Sequence, residues 1–548
     1  MIKYHFSCPK PTSQFVKISL QIENKYTSKV KLRLPAWRAG RYQIADYAKN
    51  IRNLEIIDES GVSVEKKKES KNIWSFTADA TVAYQVSYEY YAAKMDAGSS
   101  WLDEEQCYLN LVNCCFEVLG LHSEPKYLFE FKCSNFPKKI STLRQNRLGE
   151  YVAENFQEIA DATFLAAKKL IHWSYQAIDT TFHIWIHGEV HFDKKRFIEN
   201  LKSFSERMIR DFGEFPEREY HFIYQLLPYK HYHGVEHQKG TVITFGPAES
   251  LEKSQQMEDL LGVSCHELYH AWNVCRIRPK ELLPYNFAKE VYTKAGWILE
   301  GITTYLGDIY LHKSGVYSLK TYLKHLNGIV KRESIAQGTQ SSSILESSFD
   351  LWLDGYEPGI PSKKTNIYSH GALIALSLDI LLLEQGSSLP ELMQTAWIRF
   401  GKPKKGYLQS SFWNILKSLV KDMEELNDFY VKYISGKNNI LEFLDKKLHL
   451  IGLQSIPNPN QNQVYLFLGI QISKEKVTFV HAQSPAFKNV MIGDQIETTI
   501  SESKIFLNLN RINGNNYQLE FKKSNSVKFP ELLITGEAKT NLGIKWKE

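Results

Sequence analysis

Residues His266-Glu267-Leu268-Tyr269-His270 spell H-E-x-x-H inside a proline-free stretch from about Met257 to Val274. Positions i and i+4 of a helix share a face, so both imidazoles can meet one metal ion. Glu267, about 100° round the axis, can reach a water on that ion. Two nitrogens, one carboxylate and an open fourth position suit zinc. The expected third ligand is Glu300, in Trp297-Ile298-Leu299-Glu300-Gly301-Ile302-Thr303-Thr304-Tyr305, on a second helix 30 residues after His270. A glutamate from a neighbouring helix makes the gluzincin type of site. The metzincin pattern is excluded, because Ala271-Trp272-Asn273-Val274-Cys275-Arg276 follows His270 where a glycine and a third histidine would be needed.

Positioning these groups requires more than one layer of structure, and the periodicity supplies it. Apolar residues alternate at Val16, Ile18, Leu20 and Ile22, at Val30, Leu32 and Leu34, and at Tyr84, Val86, Tyr88 and Tyr90, the period of strands. Turn material at Arg38–Arg41 and Asp96–Ser100 separates such runs. Residues 1–172 are therefore expected to form an N-terminal β-rich domain. Between 173 and 247 strands at Phe182–Ile186, Tyr220–Leu226 and Thr241–Phe245 mix with a helix carrying Phe197, Leu201, Phe204 and Met208 on one face. From 248 to 456 the period is almost wholly helical, so an α+β lobe meets a helical lobe, and a cleft is expected at their junction. The Pro/Asn/Gln run Pro457–Gln463 reads as a linker. Residues 457–548 alternate again, at Val464–Ile472, Val477–Val480, Ile505–Leu509 and Tyr517–Phe521, and read as one small β-rich module. The fold class expected is multidomain α+β.

A chain of 548 residues with 43% apolar and 23% charged residues has ample core material and reads as folded and soluble. A net charge of +6 over this length is small for a protein that neutralises a row of phosphates, so no nucleic-acid partner is expected. The N-terminus lacks an apolar leader, and the most apolar run, Gly371–Leu383, is interrupted by Asp379 and too short to span a bilayer. Seven cysteines without a C-x-x-C pair argue against a disulfide framework and a thiolate zinc site. A reducing, cytoplasmic location and no membrane partner are expected.

Beyond the zinc motif, His266–Pro279 resembles the glycyl aminopeptidase family of PDZ-containing zinc metallopeptidases, whose pattern is roughly H-E-x-x-H-x-W-N-V-K-R-I-R-P. Here Cys275 stands at the usual lysine. The resemblance implies a thermolysin-like catalytic domain over 173–456, one Zn²⁺ per chain on His266, His270 and Glu300, and Glu267 as the catalytic base. His233-Gly234-Val235-Glu236-His237 looks like the family's G-G-x-E-H element, which implies that Glu236, with Gly234 beside it, binds the substrate's free amine. That role is chemically sound, because a buried carboxylate facing an ammonium is a contact that a blocked peptide cannot make. Asn366–Leu373 resembles the stretch Y-x-K-G-A-L, which makes Tyr368 the catalytic tyrosine and puts His370 at the usual lysine. Leu468-Gly469-Ile470, Ser484-Pro485-Ala486 and Ile492–Ile496 resemble the signature of a PDZ-like domain, which implies a peptide or protein ligand there.

The function expected is a zinc-dependent aminopeptidase acting on peptides with a free N-terminus, with a preference for Gly or Ala implied by the resemblance. The alternatives are a zinc endopeptidase of the same fold and a non-catalytic peptide-binding scaffold working through the PDZ-like module. A scaffold has no use for the non-ligand base Glu267. Epoxide hydrolysis on the same metal occurs among relatives of this class, but no residue here points to it.

Overall fold

The computed structural model describes residues 1–23, 28–121, 123–336, 341–361, 363–523 and 529–536. The alternating apolar runs of the N-terminal region form sheet as their period requires. Val16, Ile18, Leu20 and Ile22 point inward from the strand Phe15–Glu23, each essentially unexposed. Burying each such side chain contributes roughly 1.5–3 kcal/mol. Phe15–Glu23 lies in a seven-stranded sheet, antiparallel to Ile2–Ser7 and Ala83–Tyr91, while Ile2–Ser7 pairs in parallel with Tyr127–Lys132. Two four-stranded sheets, centred on Lys29–Arg33 with Ile73–Thr77 and on Thr163–Ala167 with Gln106–Asn110, complete this region.

A five-stranded sheet follows, in the order Ile171–Ala177, Thr180–His187, Glu219–Leu226, Gly240–Gly246, His231–His237. Its central strands run parallel, and His231–His237 turns back antiparallel at the edge. Behind it packs the amphipathic helix Lys194–Phe212, whose buried face carries Phe197, Leu201, Phe204 and Met208 as the periodicity predicts.

Helices dominate from residue 254 onward. The H-E-x-x-H helix spans Ser254–Tyr269, starting before and ending about a turn earlier than its sequence suggests, and His270 stands at its C-terminal cap. Glu300 lies in a wide helical turn, Trp297–Gly301, that runs into the helix Ile302–Lys313. Gly301 allows this segment to meet the helix Ser369–Glu384: a Cβ added at Gly301 would stand 2.5 Å from the Gly371 backbone. The apolar run Gly371–Leu383 lies within that helix and is buried as far as Leu382. Among the described residues no single helix is long and apolar enough to cross a membrane.

The C-terminal region departs from the sequence expectation at Val464–Ile472. Asn462 caps a short helix, Gln463–Leu468, by accepting from Val464 N, and Gly469 ends it in the left-handed region. Strand begins only at Ile470–Ser473. This stretch has a cap at one end and a glycine at the other, and those signals override the alternation. Five antiparallel strands from Ile470 to Lys522 enclose a separate small core of Val464, Leu468, Ile470, Val477, Ile505, Leu507 and Leu509. The strand Leu453–Pro457 pairs with Leu532–Gly536, and the Asn327 side chain holds Ile534 through both its N–H and its C=O.

Candidate active site

His266 and His270 leave the helix Ser254–Tyr269 on one side, their Nε2 atoms 3.1 Å apart. Glu300 Oε2 lies 3.7 Å from His266 Nε2 and 3.4 Å from His270 Nε2. Two ligands on one tetrahedral ion with bonds of about 2.0–2.1 Å stand roughly 3.3 Å apart, so this donor set fits zinc. His270 Nδ1 donates to the Asn273 carbonyl at 2.8 Å, which turns Nε2 toward the other two groups. The Asn273 amide in turn donates to Ile298 O, Leu299 O and Thr303 Oγ1, at 2.8, 3.3 and 3.0 Å. One buried asparagine thereby ties the histidine helix to the turn that carries Glu300.

The rest of the extended motif holds this corner in place. Arg276 donates to Ala271 O, Gln238 O and Glu217 Oε1, and Arg278 donates to Val274 O and Cys275 O while stacking on Tyr285. Cys275 is buried and is not part of the His266–His270–Glu300 cluster.

Glu267 faces the same space and is 6% exposed, and its Oε2 has no hydrogen-bond partner. Burial pushes its carboxyl up to about 8; His270 opposes the shift, and Glu236 and Glu300 add to it. Burial also disfavours charge on His270, but Glu300, through its charge and hydrogen bond, together with Glu236 and Glu267, lifts it to about 10. Glu300 resists its own burial for the complementary reason and is held at about 2 by His270 and His266.

The edge strand His231–His237 brings Gly234 and Glu236 to the cleft. A Cβ at Gly234 would sit 2.3 Å from Glu267 Oε1, so no larger residue leaves that carboxylate where it is. Glu236 is 9% exposed and its Oε1 is buried without a partner. Burial raises its pKa; His270 counters, and Glu300 adds to the rise. His233 lies beside Arg38 Nη2 at 3.5 Å and Asp96 Oδ1 at 3.7 Å, and burial followed by the Arg38 charge brings it down to about 4. His231 and His237 occupy the two ends of the strand and take no part in the His266–His270–Glu300 cluster.

Tyr368 stands at the N-terminus of the helix Ser369–Glu384 with its ring in the cleft, 38% exposed. The surrounding protein, and after it the Glu300 carboxylate, keep its phenol protonated far above the ordinary range. His370 turns away from it: its Nδ1 pairs with Glu333 Oε1 at 2.8 Å, both groups buried, which anchors this helix to Leu319–Ile335.

Sequence reasoning missed the contribution of the N-terminal region. Arg38, Gly40 and Arg41, read as turn residues, line the cleft of about 590 Å³ together with Tyr356. The Gly40 backbone, at φ +73°, lies over Glu236; a Cβ there would be 2.4 Å from both carboxylate oxygens. Arg41 stacks on Tyr356, whose hydroxyl donates to Gly40 O at 3.4 Å. The W-R-A-G-R turn itself was the one available signal, a glycine where tight backbone approach is required.

Comparison with known proteins follows this geometry. The family model described as M61 glycyl aminopeptidase matches residues 259–374, and that of the M61 N-terminal domain matches residues 3–168. The crystal structure of an aminopeptidase N family protein from Idiomarina loihiensis has the same fold, with 24% identity, a TM-score of 0.89 and 100% coverage of both chains. An M1 zinc metallopeptidase from Deinococcus radiodurans is 12% identical with a TM-score of 0.49, covering 80% of this chain and 94% of its own. Comparison with the curated proteins returns no match.

Proposed function

This chain belongs to the M61 glycyl aminopeptidase family, and from that premise we propose that it is a zinc aminopeptidase that removes small N-terminal residues, Gly or Ala, from peptides with a free amine. His266, His270 and Glu300 are the residues that hold the zinc ion, one per chain. Zinc in that position supplies Lewis-acid polarisation of the scissile carbonyl and acidifies the attacking water.

The chain's own groups do the rest. Glu267 takes the proton of the attacking water and returns it to the leaving nitrogen. Tyr368 donates its O–H to the oxygen that gains charge as the carbonyl is attacked. Glu236 accepts the substrate ammonium. The observation that carries this reading is the Glu236 carboxylate: buried, unpartnered at Oε1 and set in the same cleft as Glu267 and Glu300. Its Oε1 makes no hydrogen bond, and an incoming ammonium would supply one. The loop Arg38–Arg41 lies over that carboxylate, which supports a short subsite for the first side chain.

The domain reading that accompanies this function is 1–172 as the N-terminal β-rich domain, 173–456 as the thermolysin-like peptidase domain and 457–548 as a PDZ-like domain. Gly469, left-handed just before the sheet's edge strand Ile470–Ser473, supports the last, since peptides add to such edges.

The test is hydrolysis of a matched pair, glycine or alanine anilide and its N-acetylated form. Cleavage of the free form alone supports the proposal. Cleavage of both forms replaces it with an endopeptidase, and cleavage of neither, across a panel of first residues, replaces it with a peptide-binding scaffold.

A further inference from the structure

Cys8, Cys107 and Cys133 are scattered in sequence yet meet in the N-terminal β region. The strands Ile2–Ser7 and Tyr127–Lys132 pair in parallel with Ser7 opposite Lys132, so the next residue on each is a cysteine beside a cysteine. Cys107 comes from Gln106–Asn110 in another sheet, packed against the first where Phe131 stacks on Phe164 at 3.7 Å. Cys8 Sγ lies 3.5 Å from Cys107 Sγ and 3.4 Å from Cys133 Sγ, and all three sulfurs fall within 4.8 Å of one another. The thiols are free, at 4%, 0% and 7% exposure.

We propose that these three cysteines form a second metal site, separate from the catalytic one, which takes a soft monovalent cation, Cu(I), in three-coordinate thiolate ligation. The spacing supports it. A point equidistant from sulfurs at these separations lies about 2.0–2.4 Å from each, which brackets an ordinary metal–thiolate bond of about 2.3 Å. Soft sulfur donors select Cu(I) among biological cations, whereas hard cations need oxygens. A structural zinc is closed by four protein ligands, and among the described residues no fourth histidine, cysteine or carboxylate joins the group. Binding breaks S–H bonds, forms Cu–S bonds and releases the protons to solvent; copper and sulfur both keep their oxidation states.

The test uses the full-length, zinc-loaded protein under anaerobic, reducing conditions, titrated with Cu(I) presented as its coloured bis-bicinchoninate complex. Wild type is expected to withdraw one Cu(I) per chain, and copper X-ray absorption to show sulfur neighbours only. Cys107→Ala is expected to weaken that affinity by more than the roughly 10–100-fold that loss of an outer-shell partner costs a metal site, with peptidase activity unchanged. Cys133→Ala, nearest the surface, keeps the test decisive if Cys107→Ala does not fold. Withdrawal of no copper, or equal withdrawal by the variants, would each overturn the proposal.

Discussion

Replacing Glu236 by Gln separates substrate recognition from stability, because the structure sets the two effects in opposite directions. In the free protein the carboxylate is buried, leaves Oε1 unpartnered and shares the cleft with the acidic groups Glu267 and Glu300. Removing its charge relieves that crowding, so the thermal midpoint of Glu236→Gln should stay level or rise. On the proposed reading the same carboxylate receives an ammonium when substrate binds, and a charge-assisted hydrogen bond of this kind is worth about 1.5–3 kcal/mol. Partial desolvation of the pair moves the loss toward the 3–5 kcal/mol seen when one member of a buried pair is removed. At about 1.4 kcal/mol per factor of ten, kcat/KM for alanine anilide should fall roughly 10²–10³-fold. The assay is steady-state hydrolysis beside a thermal melt, with zinc content measured on both proteins. A kcat/KM within threefold of wild type, or an activity loss that tracks a lowered melting point, would refute the assignment of the ammonium to Glu236.

Three further outcomes follow from the same geometry. If Tyr368 donates to the developing oxyanion as proposed, Tyr368→Phe should lower kcat by about 10²–10³-fold while KM changes little; a KM effect alone would remove Tyr368 from this role. Gly234→Ala places a Cβ 2.3 Å from Glu267 Oε1, so activity should fall while zinc content holds, and an unchanged rate would show that Glu267 does not need its observed position. His270 sits near 10 in the metal-free protein and is protonated at neutral pH, so its proton must leave before Nε2 can bind. The metal-free state holds the extra proton, and affinity for zinc should therefore fall as pH falls. Calorimetry at pH 7 in buffers of different ionisation enthalpy should show release of at least one proton, and release of none would contradict the ligand assignment.

Local pattern carried far in this chain where the chemistry lies on single elements. The i, i+4 spacing places His266 and His270 together, and the alternation over 16–22 and 84–90 marks strands with their inward faces correct. Glu300 was legible from its neighbours in sequence, although its wide turn was not, because that geometry depends on Asn273 and on the close approach of Gly301 to Gly371. The cover over Glu236 was hidden for a different reason. Gly40 and Tyr356 are 316 residues apart and meet only through the packing of the N-terminal region on the helices. Cys8, Cys107 and Cys133 meet through sheet register, which no cysteine spacing announces. At Val464–Ile472 the alternating pattern lost to a cap and a glycine seven residues apart, signals present in the sequence but outweighed in a reading based on period.

On the proposed reading Glu267 moves the proton in a zinc site built from His266, His270 and Glu300. The most direct measurement is kcat of zinc-loaded Glu267→Gln against wild type on the free-amine substrate, with metal counted in both. We predict one zinc per chain in each protein and a rate lower by at least the 10²–10⁴-fold that a general base contributes. Equal zinc with a rate within tenfold of wild type would contradict the account.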